Sequence, residues 1–171
     1  MQNGADSSRQ LTEISETASA AIDEVREIAY NLRPYHLDEL GLKQACESML
    51  GRIAKSSTTS FVWEIESIDG FFPRELEINF YRIVQECLNN IVKHSGASEA
   101  GVKIRRNENE SLTLLVWDNG KGFDTNLMAS KRASQGGFGL AGINERARIL
   151  GGKIVINSAP NEGTTVKLTF V

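Results

Sequence analysis

Residues 81–95 read YRIVQECLNNIVKHS, and polar residues are unusually dense in the second half of that run. Ile83, Val84, Leu88, Ile91 and Val92 supply one apolar stripe at helical spacing. Beside it stand Glu86, Asn89, Asn90, Lys93 and His94, within little more than two turns, although Asn is a poor helix former. Glu86 and Asn90 lie four apart and point from the same face. A carboxylate beside an amide oxygen can serve as a base and as a ligand for a hard cation. The same pair can be an ordinary solvated helix surface, and in isolation that is the commoner outcome.

Three further segments carry residues of chemical interest. DNGKGF (118–123) follows directly on an apolar strand pattern ending at Trp117. A carboxylate at a strand end can accept a hydrogen bond, and the two glycines let the backbone approach a planar ligand. Asn-Gly is also a strong hairpin signal, but the chain enters the polar stretch FDTNLMASKRASQGG rather than a second strand. A loop of that length suits a lid. GGFGLAGINERA (136–147) sets glycines before a helix, where backbone N–H groups can bind an anion. It lacks the Gly-Lys-Ser/Thr of a P-loop and the surrounding βαβ unit of a dinucleotide fold. NEGTTVKLTF (161–170) brings Thr164 and Thr165 to the start of a last strand, where threonine is also simply a good strand former. Each segment alone has an ordinary structural explanation.

The elements that would position them are legible from periodicity. Residues 9–33 carry apolar positions Leu11, Ile14, Ala18, Ile22, Val25, Ile28 and Leu32 in steps of three and four, a heptad seam that needs a partner helix. Pro34 ends that helix, and LRPYHLDELG reads as a short connector closed by Gly41. From residue 42 a single α+β domain is expected. LKQACESMLGRIAK is a helix and FVWEIE a strand. FFPRELEINFYRIVQECLNNIVKH is one long helix with Pro73 near its first turn. SEAGVKIRRN and SLTLLVWDN form a hairpin, INERARILGG is a helix stopped by two glycines, and the closing segment is a second hairpin. Helices before and between antiparallel strands predict a helical layer on one sheet.

Composition narrows the possibilities. The 171 residues are 40% hydrophobic and 24% charged, an ordinary globular balance. A net charge of −3 with scattered Lys and Arg argues against direct nucleic-acid binding. No apolar run nears the roughly 20 residues of a membrane span, and no secretory signal appears, so a cytoplasmic fragment is expected. Residues 1–8 are polar and read as a disordered start. Cys46 and Cys87 lack metal-ligand spacing and read as buried thiols.

The order of parts is specific: Glu and Asn on a helix, Asp-x-Gly-x-Gly, a lid, Gly-x-Gly-Leu, then Gly-Thr on a strand. Across 42–171 it resembles the ATP-binding fold shared by histidine kinases, DNA gyrase, the mismatch-repair MutL proteins and a major heat-shock chaperone. LRPYHLDELGLKQAC, QECLNNIVKHSGAS and GLAGINERARILGG look like the nitrate-sensor-type sensor histidine kinases. The resemblance implies a two-layer α/β sandwich with a mixed, mostly antiparallel sheet, a Bergerat-type fold, preceded by one dimerisation helix. The implied domains are 9–41, a second dimerisation helix with its connector, and 42–171, the catalytic domain.

It also implies roles. Asp118 would accept a hydrogen bond from the adenine amino group, with Gly120 and Gly122 allowing close approach. Thr164 would hold the adenine edge through water, Thr165 being the weaker candidate. Asn90 would ligate Mg²⁺, Glu86 would act as the acid/base residue, and Gly137, Gly139 and Leu140 would frame the phosphates. Lys93 and His94 are placed at the phosphates or on a solvated helix end, and Lys131 and Arg132 would approach the γ-phosphate from the lid. The implied cofactors are ATP and Mg²⁺, and the reaction is phosphoryl transfer to a histidine. The implied partners are the phospho-acceptor helix pair of the intact kinase, a response regulator and a second copy of the chain. The family's acceptor motif is absent here: His36 sits in the connector and His94 in the nucleotide site. A serine-directed kinase of the anti-sigma type and a nucleotide-dependent interaction module are the alternative readings.

Overall fold

The computed structural model describes residues 35–108, 110–125 and 138–171. The expectations for the heptad helix 9–33, for the lid beyond residue 125 and for Gly137, Lys131 and Arg132 lie outside the described residues. The chain divides into two units, Met1–Glu39 and Leu40–Val171. Of the first, only residues 35–39 are described, as the start of a helix.

The elements run α1 (Tyr35–Ser56), β1 (Ser60–Ile65), α2 (Glu77–Asn90), a π-helical turn (Ile91–Ser95), β2 (Glu99–Arg106), β3 (Leu112–Asp118), α3 (Phe138–Ile149), β4 (Lys153–Ser158) and β5 (Thr164–Phe170). The five strands form one sheet in the order β1-β2-β3-β5-β4. β1 and β2 are parallel, and every other pair is antiparallel. The mixed, mostly antiparallel sheet expected from the sequence is therefore present. No helix among the described residues is long and apolar enough to cross a membrane.

Strand alternation decides which face is covered. Leu112, Leu114 and Val116 are buried, whereas Thr113, Leu115 and Trp117 between them are half-buried. Register aligns the buried set across strands as Val102–Val116–Val166 and Ile104–Leu114–Leu168. The helices supply Leu42, Met49 and Leu50 from α1, Phe80, Ile83, Val84 and Leu88 from α2, and Ile143 and Ala147 from α3, all buried. Each large apolar side chain so covered stabilises the fold by about 1.5–3 kcal/mol. At one end of this core Phe72 and Phe80 pack on Phe170, with ring centroids 5.3–5.6 Å from it.

Three boundaries differ from expectation. The segment assigned to the connector is helical from Tyr35, and Gly41 (φ 82°, ψ 170°) breaks α1 rather than closing a loop. The long helix starts at Glu77, not at Pro73. The carbonyl of Pro73 instead caps a turn, accepting from Leu76 and Glu77 N–H at 2.8 and 3.2 Å. Phe72 is held in the aromatic cluster, and that anchorage prevails over extension of the helix. α3 starts at Phe138, so Gly139 and Gly142 lie inside the helix and not in a loop before it. Its end follows the expectation, with Gly152 N–H closing on Ala147 O at 2.7 Å.

Candidate active site

At the end of the core remote from the aromatic cluster, the sheet and the helices border a cavity of about 250 Å³. Its walls are mainly apolar: Ile91 from the π turn, Val116 from β3, Val166 from β5, and Leu140 and Ile143 from α3. Cys87 completes the wall as a neutral group, its thiol pushed up to about 12 by burial. Asn90, His94, Lys121 and Thr164 supply the polar margin. The volume lies just below the range for whole drug-sized ligands and suits a flat bicyclic group with its substituents outside.

The apolar stripe of α2 runs through Phe80, Ile83, Val84, Cys87 and Leu88 and continues to Ile91 in the π turn, all buried. Glu86 and Asn90 fall on the border of that stripe, half-buried, one turn apart. The first turn of α3 lies against them. A Cβ on Gly139 would stand 2.5 Å from Glu86 Oε1 and 3.4 Å from Asn90 Oδ1, so any side chain there would displace the Glu86 carboxylate from its place beside Asn90. After Asn90 the helix widens. Ser95 Oγ donates to Ile91 O at 2.8 Å and accepts from Ala97 N–H at 3.0 Å, which fixes the π turn. This turn brings His94 and Ser95 to the cavity, whereas Lys93 is exposed and does not line it.

Asp118 closes β3 on the core-facing parity of Leu112, Leu114 and Val116, opposite Thr164 in the β3–β5 register. It is 9% exposed. Burial raises its carboxyl above the ordinary aspartate range, partly offset by the Gly120 N–H that donates to Oδ1 at 2.8 Å. The other carboxylate oxygen is an acceptor next to a cavity that offers few polar partners. Asp118 does not itself form the wall; it adjoins the cavity through Thr164.

The DNGKG loop is pinned on both sides. Lys121 N–H donates to Ser95 O at 2.9 Å, and Asn161 N–H donates to Lys121 O at 2.6 Å. Asn119 Oδ1 accepts from the N–H groups of Ser98 and Glu99, both at 3.0 Å. Gly122 lines the cavity at φ 54°, and the space of a side chain there is taken by the carbonyls of Ala159 and Gly163. That glycine is therefore required by the protein's own turn, beyond any close approach of a ligand.

The structure thus gathers Glu86, Asn90 and Gly139 at one margin, and His94, Gly122, Leu140 and Thr164 around the cavity with Asp118 and Gly120 beside it. Sequence reasoning overlooked Ser95, Lys121, Phe123 and Ser158. The signal for Ser158 was available, because the expected closing hairpin places it opposite Thr164, and the register confirms that pairing. A wider depression of about 450 Å³ lies at the opposite end, against Phe71, Leu76 and Ile149. It holds none of the residues singled out by their chemistry.

Comparison with known proteins agrees with this geometry. Residues 75–171 match the model of the histidine kinase-, DNA gyrase B- and HSP90-like ATPase family. A sensor-like histidine kinase of Chloroflexus aurantiacus is 35% identical over 161 residues, covering 93% of this chain and 27% of that protein. The signal transduction histidine-protein kinase/phosphatase DegS of Brevibacillus brevis is 33% identical over 162 residues, covering 95% of this chain and 40% of DegS. The chain therefore spans well under half the length of these relatives. Among solved structures, the histidine kinase domain of the Erythrobacter litoralis blue-light activated kinase superposes with a TM-score of 0.63 at 17% identity, over 75% of this chain and 60% of that one. The Acinetobacter baumannii histidine kinase AdeS gives 0.60 at 14% identity, over 95% and 82%. At such identities the structural likeness concerns the fold. The family match, over more than half of the chain, shows that the chain belongs to the histidine kinase-, DNA gyrase B- and HSP90-like ATPase family.

Proposed function

We propose that the cavity beside Asp118 takes the adenine of ATP and that the bound nucleotide donates its γ-phosphoryl group to a histidine on a separate helix pair. The observation that carries this reading is a buried carboxylate at the polar end of an apolar, base-sized cavity. From there the ribose and phosphates lead out past Asn90 and the first turn of α3, where backbone N–H groups favour anions.

Mg²⁺ suits the donors at that margin. Asn90 offers one amide oxygen, and among the described residues no three His, Cys, Asp or Glu side chains form a metal cage. A single protein ligand supplemented by phosphate oxygens and water is the usual environment of this ion. When bound it would neutralise charge on the phosphates. Glu86, held beside Asn90, would accept the proton of the attacking imidazole as its nitrogen bonds to the γ-phosphorus and the bond to the β-phosphate oxygen breaks, releasing ADP.

Residues 9–41 are proposed as the second dimerisation helix and connector, and 42–171 as the catalytic domain, of a homodimeric cytoplasmic kinase module that passes phosphate to a response regulator. The test is incubation with labelled Mg·ATP and an added helix pair carrying an acceptor histidine. Acid-labile label on that pair, strongly reduced in Glu86→Gln at unchanged ATP affinity, is the expected result. Acid-stable label would instead indicate a serine kinase, and no label an interaction module.

A further inference from the structure

The hydroxyl groups at the polar end of the cavity admit one consistent arrangement of protons. Ser158 Oγ lies 2.8 Å from Gly163 O, and a carbonyl oxygen can only accept, so the single Ser158 proton is directed there. Phe123 N–H donates to the same oxygen at 2.9 Å. Thr164 Oγ1 stands 3.1 Å from Ser158 Oγ. Because the Ser158 proton is already engaged, Thr164 is the donor in that contact. Ser158 is then saturated, with one bond donated and two accepted. Thr164, its own proton committed, has only lone pairs left for whatever enters the cavity that it lines.

Across the β3–β5 register Thr164 faces Asp118, whose Oδ1 is held by Gly120 N–H. When ionised, the second carboxylate oxygen is also an acceptor. We propose that Ser158 is a positioning residue for base specificity. By fixing the polarity of the Thr164 hydroxyl it turns this end of the cavity into paired acceptors, selective for an exocyclic amino group over a ring carbonyl. A 6-aminopurine has two hydrogens on one nitrogen, one for each acceptor. A 6-oxopurine would bring an oxygen lone pair against both. A site built to receive a hydrogen rejects the analogue that lacks it more strongly than an apolar wall can.

The inference rests on the reading of the cavity as the base site, and the experiment separates the two. Calorimetric affinities for Mg·ATP and Mg·inosine triphosphate are measured on the wild-type chain and its variants. The wild type is expected to prefer ATP; no preference would overturn the base reading and this inference with it. In Ser158→Ala the Thr164 proton is free to turn toward the ligand. The ATP-to-ITP affinity ratio should then fall by about tenfold, the worth of one hydrogen bond, while Ser158→Thr retains the wild-type ratio. Equal weakening of both nucleotides in Ser158→Ala would show a merely structural role and overturn the proposal, as would an unchanged ratio. If Ser158→Ala does not fold, Thr164→Val carries the test: a narrowed ratio supports the proposal and an unchanged one refutes it.

Discussion

Replacing Asp118 by asparagine tests the polar end of the cavity with almost no change in volume. Gly120 N–H donates to Asp118 Oδ1 at 2.8 Å, so the amide has only two ways to sit. If its oxygen keeps the Gly120 bond, its NH2 group faces the amino group of the base, donor against donor. If it flips, the ligand bond survives and the amide nitrogen opposes Gly120 N–H. In either orientation one buried hydrogen bond is lost and a donor is left without an acceptor. A bond to a charged group contributes about 1.5–3 kcal/mol, so a loss of about 2–3 kcal/mol is expected, or about 30- to 150-fold in Kd. The free protein should not lose stability, because the substitution also removes a carboxylate whose ionised form is disfavoured by burial. Titration calorimetry with Mg·ATP measures the first effect, and thermal unfolding of the free protein measures the second. A folded Asp118→Asn protein with wild-type ATP affinity would refute the reasoning.

Asn90→Ala should weaken ATP binding in the presence of Mg²⁺ more than in EDTA, since it removes an oxygen ligand and no base contact; equal losses in the two calorimetric series would make Asn90 a structural residue. Gly139→Val would force side-chain atoms onto Glu86 Oε1 and Asn90 Oδ1, and phosphotransfer should fall at least tenfold, about 1.4 kcal/mol in the barrier, with unfolding little changed because the Glu86 carboxylate end can swing away. The raised carboxyl of Asp118 gives two opposite pH trends. As pH falls from neutral toward the ordinary aspartate value of 3.8, the folded state takes up this proton before the unfolded state does, so wild-type stability should rise relative to Asp118→Asn. Over the same window ATP affinity should fall as the acceptor is protonated. Denaturant unfolding and ATP titration of both proteins across that range check the pair of signs.

The strands were legible because each repeats with period two on a half-covered sheet, and the β3 and β5 patterns alone place Asp118 and Thr164 on the inner face. Glu86 and Asn90 were legible from their spacing of four along a stripe that had to be buried. What escaped the sequence depends on contacts between distant segments. The late start of α2 follows from Phe72 docking on Phe80 and Phe170, which no local propensity reports. The π turn after Asn90 depends on one hydroxyl, Ser95, bonding back to Ile91 O. Gly139 reads locally as a loop glycine, and its place inside α3 against Glu86 emerges only from the packing of α3 on α2. Ser158, Gly163 and Thr164 meet within the closing hairpin, whereas Phe123 joins them from 35 residues away, a contact that no local pattern reports.

The most direct measurement is an amide-resolved NMR titration of the chain with Mg·ATP. Saturable shifts should concentrate at Gly120, Gly122, Leu140 and Thr164, with the side-chain amide of Asn90 responding only when Mg²⁺ is present. Shifts centred instead on Phe71, Leu76 and Ile149 at the far depression, or no saturable shifts at all, would contradict the assignment of the cavity beside Asp118 as the nucleotide site.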